Sequence, residues 1–135
     1  MSKLLAIDYG KKRCGIAVTD DDQIIASGLT TIPAKEIMKF LEDYLKNNAV
    51  ECFVLGEPKR LNGMETHSTE AVMKFKTQLE GRFKLPVHMI DERFTSKMAF
   101  QTMIDSGLKK KARRNKDLID EISATLILQS FMTSR

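Results

Sequence analysis

Acidic residues stand where apolar runs end. Asp8 closes Leu4-Leu5-Ala6-Ile7, Glu57 follows Cys52-Phe53-Val54-Leu55-Gly56, and Asp91-Glu92 closes the run that opens at Val87. In open α/β sheets, function gathers beyond the carboxyl ends of the strands. Like charges converging there repel, and they cost stability unless something neutralises them. A divalent cation does so. Mg²⁺ takes a few carboxylate oxygens, keeps several waters and leaves room for a substrate phosphate. Two such ions about 3.5–4 Å apart activate a water and stabilise a departing alkoxide in phosphodiester cleavage. The competing reading is that each acid merely ends its strand and faces water.

The first acid belongs to a longer pattern. Asp8-Tyr9-Gly10-Lys11-Lys12-Arg13-Cys14-Gly15-Ile16-Ala17 reads D-x-G-x-x-R-x-G-x-A. Gly10 permits a tight turn. Gly15 removes a side chain beside the acid, so a phosphate or a backbone can approach. Arg13 projects from the turn with a guanidinium able to clamp phosphate bidentately. A bare D-x-G is also a common hairpin turn, and Arg13, Gly15 and Ala17 are what add specificity.

Net charge is +4, a weak pointer to an anionic partner. Its placement is more telling. Lys109-Lys110-Lys111-Ala112-Arg113-Arg114-Asn115-Lys116 puts six cations into eight positions. Such a run does not pack into a core; it is a solvated loop or one that contacts phosphates. Lys59 and Arg60 add cations to the loop from Glu57 to Gly63. With no Trp and two Tyr, a base-stacking platform is not expected. His67 and His88 lack metal-ligand spacing and read as structural. Cys14 and Cys52 stand singly in apolar stretches, which predicts buried free thiols rather than a disulfide or zinc site.

These groups need a scaffold. At 135 residues the chain reads as a single domain over 1–135. Its 42% hydrophobic and 30% charged content fits an ordinary globular protein and argues against disorder. No apolar window of about 18 residues offers a membrane span. The opening apolar run is too short for a signal-peptide core, so the expected compartment is the cytoplasm, with no membrane partner.

Strands are expected over Leu4–Ile7, Cys14–Thr19 and Gln23–Ile32, with a turn at Asp8-Tyr9-Gly10 and another at Asp20-Asp21-Asp22. Short connections make these three an antiparallel meander. Pro33 suits the first turn of a helix over Ala34–Asn47. Further strands are expected at Cys52–Gly56 and Val87–Asp91, and a helix between them at Glu65–Phe83, with Ala71, Val72, Phe75 and Leu79 as its buried stripe. Thr95 caps a helix to about Asp105, stopped by Gly107. The last helix runs from about Asp117 to Met132, with Ile119, Ile122, Leu126, Ile127 and Phe131 on its apolar side. The order β-β-β-α-β-α-β-α-α gives an α/β fold, a mixed five-stranded sheet with helices on both faces. Asp117 and Asp120 at the start of the last helix suit its caps and dipole.

Four motifs in this order resemble the YqgF, or RuvX, family of bacterial proteins over nearly the whole chain. They are Asp8-Tyr9-Gly10 with Arg13, Gly15 and Ala17; Leu55-Gly56-Glu57-Pro58 followed by Asn62-Gly63; Asp91-Glu92-Arg93-Phe94-Thr95; and Asp120 within Ile119 to Gln129. The resemblance implies the RNase H-like fold and kinship to RuvC-type Holliday-junction resolvases. It implies metal-binding acids at Asp8, at Asp91 or Glu92, and at Asp120, which then looks inward while Asp117 caps. Glu92 is preferred, because Glu92-Arg93 matches a glutamate–polar pair of the related resolvases. Strand alternation also sends Asp91 and Glu92 to opposite faces. The family usually has an apolar residue at the place of Glu57, and Ala-Ala where Ser123-Ala124 stands.

The implied activity is Mg²⁺-dependent phosphodiester hydrolysis, with Mn²⁺ an alternative ion. Asp8, Glu92 and Asp120 hold metal, and Arg13, Arg93, Lys110 and Arg113 contact the substrate backbone. Arg93 equally suits pairing with a neighbouring acid. The family's link to the 5′ end of pre-16S ribosomal RNA makes RNA the expected partner. Cleavage of four-way DNA junctions is the alternative within nucleases, and a non-catalytic nucleic-acid-binding module the alternative outside them. The expected state is a monomer or weak homodimer. An actin-like ATPase shares a D-x-G hairpin but needs two such domains around a cleft.

Overall fold

A computed structural model describes residues 2–57, 67–91 and 116–134. The first three strands form the meander that their short turns dictate. β1 (Lys3–Tyr9), β2 (Arg13–Thr19) and β3 (Ala26–Pro33) are successively antiparallel. β4 (Val50–Glu57) adds in parallel to the free side of β1, and β5 (Val87–Asp91) adds in parallel to β4. The sheet order is β3-β2-β1-β4-β5. A 3-10 turn at Ala34–Glu36 leads into α1 (Ile37–Asn47), α2 (His67–Phe83) joins β4 to β5, and α3 (Lys116–Ser134) follows.

Alternation along each strand sorts side chains into two core layers. Leu5, Ile7, Cys14, Ile16, Phe53 and Leu55 lie on one face and pack against Ile37 and Leu41 of α1 and Val72, Phe75 and Leu79 of α2. Leu4, Ala6, Ala17, Cys52 and Val54 lie on the other and pack against Ala124, Ile127 and Leu128 of α3. Burying a Leu or Ile side chain stabilises by about 1.5–3 kcal/mol. Ala6, Ala17, Cys52 and Ala124 are the small members of the second layer, and they let α3 come close to the sheet.

Several boundaries differ from the sequence expectation. Asp8 and Tyr9 belong to β1 rather than to a turn, because they pair with Gly15 and Cys14. β3 begins at Ala26 instead of Gln23. The Asp20 carboxylate accepts hydrogen bonds from the amides of Ile24 (2.7 Å) and Ile25 (2.9 Å), and Gln23 turns to φ 57°. Those residues therefore build the hairpin turn and leave Ile24 and Ile25 exposed. Pro33 ends β3, and the chain makes a 3-10 turn before α1. Ala71 is only half-buried while the rest of the α2 stripe is buried.

The apolar side of α3 also needs correction. Ser123, Ala124, Ile127 and Leu128 are its buried residues, and Ile119, Ile122, Leu126 and Phe131 are only half-buried. Ser123 and Ala124 face the sheet where the helix comes closest, and Ile127 and Leu128 fill the layer one turn further on. The expected helix over 95–105, most of the basic run, the caps Thr95 and Asp117, and the loop beyond Glu57 concern groups outside the described residues. Both cysteines are buried free thiols, as expected. Among the described residues, no helix is long and apolar enough to cross a membrane.

Candidate active site

Asp8 pairs directly with Gly15 across β1 and β2. Directly opposed residues of an antiparallel pair share a face. Leu4 and Ala6 lie under α3, so alternation puts Asp8 on that same face. The same period of two puts Arg13, Gly15 and Ala17 together there. The spacing R-x-G-x-A is thus one side of one strand.

Gly15 is the seat of α3. A Cβ added to it would lie 2.9 Å from the Asp120 Cβ and would collide with the Asp120 carbonyl. The helix backbone rests on a bare Cα, and Asp120 thereby comes beside Asp8. Gly28 of β3 serves more loosely, where a Cβ would lie 3.3 Å from the Glu121 Cβ. One residue beyond the Ile7–Leu55 pair, Gly56 occupies the matching position on β4. Asp8 is therefore flanked by glycine on both neighbouring strands, which leaves space around its carboxylate.

Arg13 comes to Asp120 from the first position of β2. Its Nε donates to Asp120 Oδ2 at 2.5 Å, with side chains 35% and 23% exposed. Charge-assisted hydrogen bonds of this kind are short and strong. On the opposite face, the Cys14 thiol is pushed up to about 11. Burial is the main cause, a hydrogen bond from the Gly10 backbone works against it, and the negative charges of Asp8 and Asp120 add to it. Both acids thus act electrostatically on one place. Tyr9 stacks on Phe75 at 4.3 Å, which anchors the end of β1 that carries Asp8.

The structure therefore brings Asp8, Arg13 and Asp120 together. Glu92, Arg93, Lys110 and Arg113 lie outside the described residues. In the backbone, Glu57 and Asp91 are register partners at the ends of β4 and β5. Among the described residues, no group of three or more His, Cys, Asp or Glu is placed to hold a metal ion. Two features escaped sequence reasoning. Gly28 gives α3 a second close approach to a glycine of the sheet. The Ser123 hydroxyl is buried one helical turn beyond Asp120 with no hydrogen-bond partner. His88, expected to be structural, sits 4.9 Å ring to ring from Phe131.

A family profile described as "RuvX: Holliday junction resolvase" matches residues 2–134. The chain belongs to the RuvX family. Similar RuvX-family sequences include one from Flavobacterium psychrophilum, 56% identical and covering 100% of this chain and 99% of the relative, which carries the name "Putative pre-16S rRNA nuclease". One of the same name from Phocaeicola vulgatus is 51% identical, covering 100% of this chain and 98% of its own. A solved structure of T. thermophilus RuvC in complex with a Holliday junction substrate is similar at TM-score 0.56 and 18% identity, covering 100% of this chain and 96% of that one. At that identity the likeness concerns fold. This RuvX-family chain has the RNase H-like α/β fold that its motifs implied.

Proposed function

We propose that this protein is a metal-dependent nuclease that hydrolyses phosphodiester bonds in RNA, its substrate being the 5′ end of pre-16S ribosomal RNA. The observation that carries the reading is the meeting of Asp8 and Asp120 over Gly15, at the carboxyl end of β1. Two carboxylates on one face, with glycines beside them, fit a hard cation that takes oxygen ligands and keeps its waters. The names of the RuvX-family relatives support the RNA substrate.

Asp8 and Asp120 would hold Mg²⁺ or Mn²⁺ together with Glu92. Glu92 rather than Asp91 is proposed as the third acid because Glu92-Arg93 matches the glutamate–polar pair of the related resolvases. The bound ion supplies Lewis acidity and a water of lowered pKa. Arg13, Arg93, Lys110 and Arg113 bind the phosphate backbone, which positions a strand without reading its sequence. The protein works in the cytoplasm as one domain over 1–135, as a monomer or weak homodimer.

The test is cleavage of end-labelled single-stranded RNA and of a four-way DNA junction, side by side, in Mg²⁺, Mn²⁺ or EDTA, with wild type and Asp8→Asn. Metal-dependent RNA cutting that disappears in Asp8→Asn is the expected result. Paired symmetric cuts in the junction, with RNA intact, would replace this reading with the resolvase activity of the family's description. Binding without any cutting would make the protein a non-catalytic module.

A further inference from the structure

We propose that Arg13 is a built-in stand-in for the metal: its guanidinium neutralises Asp120 in the metal-free protein and leaves that carboxylate when a divalent cation binds. The inference rests on the reading of Asp8 and Asp120 as a metal site. Packing forces those two acids together, since α3 is seated on Gly15 by its backbone at Asp120. Their mutual repulsion is therefore present whether or not an ion is bound. Among the described residues, a cation that answers it is Arg13, whose Nε lies 2.5 Å from Asp120 Oδ2.

A guanidinium held at hydrogen-bonding distance on one carboxylate oxygen repels a divalent ion arriving at the other, so the two cations compete for Asp120. Arg13 is suited to leaving, because its side chain is 35% exposed and it stands at the very start of β2, beside the turn. A released guanidinium stays tethered two residues from Gly15, on the face where a phosphate would lie. A planar, always-charged fork matches phosphate geometry. Arrival of the metal thereby converts Arg13 from a partner of Asp120 into a phosphate ligand.

Metal binding without substrate tests this. Calorimetric titration of metal-free protein with Mn²⁺ should show Arg13→Gln binding about tenfold more tightly than wild type, a change of about 1.4 kcal/mol. Arg13→Lys should fall between them. Without metal, Arg13→Gln should melt lower than wild type, and it should gain more on adding Mn²⁺. Equal or weaker Mn²⁺ binding by Arg13→Gln, with binding abolished in Asp8→Asn, would overturn the exchange and leave the metal site standing. Absence of Mn²⁺ binding in both wild type and Arg13→Gln would overturn the metal site and the exchange together. Wild type alone gives a second measurement, independent of how the variants fold. The Arg13 Nε–H resonance should be protected from solvent exchange in metal-free protein and lose that protection in saturating Mg²⁺. Protection that survives saturation would overturn the proposal.

Discussion

Replacing Gly15 with alanine should push α3 off the sheet. The new Cβ would lie 2.9 Å from the Asp120 Cβ and against the Asp120 carbonyl. Carbon atoms in contact settle at about 3.5–4.0 Å, so the helix must retreat by roughly 1 Å. The obstacle is backbone and has no rotamer by which to escape. Overpacking of this kind costs about 1–3 kcal/mol, and a rigid obstacle places the change at the upper end. The retreat also loosens the packing of Ala124, Ile127 and Leu128, because a gap of about 0.5–1 Å forfeits a quarter to a half of the dispersion attraction. For a domain of this size about 3 kcal/mol lowers the melting temperature by roughly 10 °C. Asp120 moves with the helix, and a displacement of about 1 Å at a reacting centre can cost about a hundredfold in rate. The assay is a thermal melt followed by circular dichroism, with cleavage measured well below both midpoints. Gly28→Ala is the internal comparison, because its 3.3 Å clearance requires a shift of only a few tenths of an ångström. A Gly15→Ala protein that melts within about 2 °C of wild type and cuts at the same rate would refute the claim that this glycine seats the helix.

Other consequences are as direct. Ser123→Ala removes a buried hydroxyl that has no partner, so it should raise the urea midpoint by an amount worth about 1 kcal/mol. The Cys14 thiol, pushed up to about 11, should resist alkylation in the native protein at pH 8 and react only on unfolding. Its folded pKa lies above the ordinary value of 9.0, so the unfolded chain ionises first. Stability should fall as pH rises from about 9 to about 11, and Cys14→Ala should reduce that slope in pH-dependent melts, the half-buried Tyr9 phenol, also raised, keeping part of it. Replacing Lys109, Lys110, Arg113 and Arg114 with Gln should flatten the salt dependence of RNA binding, by about 0.7 in the log–log slope for each phosphate left without its cation. An unchanged slope would make the run a solvated loop.

The sequence carried the order of the described elements well, because their patterns are local. It assigned Asp8 to a turn and had Arg13 project from it; the pairing of β1 with β2 instead puts both in strands, on one face with Gly15 and Ala17. The buried side of α3 was not legible in the same way. Apolar residues surround that helix, with Ile119, Ile122 and Leu126 competing against Ile127 and Leu128 for the core. The choice is made by glycines on distant strands, which no window along the helix contains. Asp120 reads equally well as a helix cap, and only the family resemblance turns it inward. Its pairing with Arg13 joins residues far apart in the chain and has no local signal. The start of β3 is hidden from a pattern of apolar residues because a polar side chain decides it: Asp20 captures the amides of Ile24 and Ile25 before they can join the ladder.

The seating of α3 on Gly15 also sets when the acidic pair can come into being. A ribosome makes Asp8 before Asp120, and α3 follows the five strands of the sheet. A growing chain that stops short of residue 116 can pair β1 with β2 and pack α1 and α2 on the sheet, yet it carries only one of the two carboxylates. The far layer of the core and the acidic pair arise in a single docking event. If ribosomal RNA is the substrate, the protein is therefore unarmed on the ribosome until α3 has been made, by the order of its elements alone. A proteolytic cut that released α3 would separate the two carboxylates again.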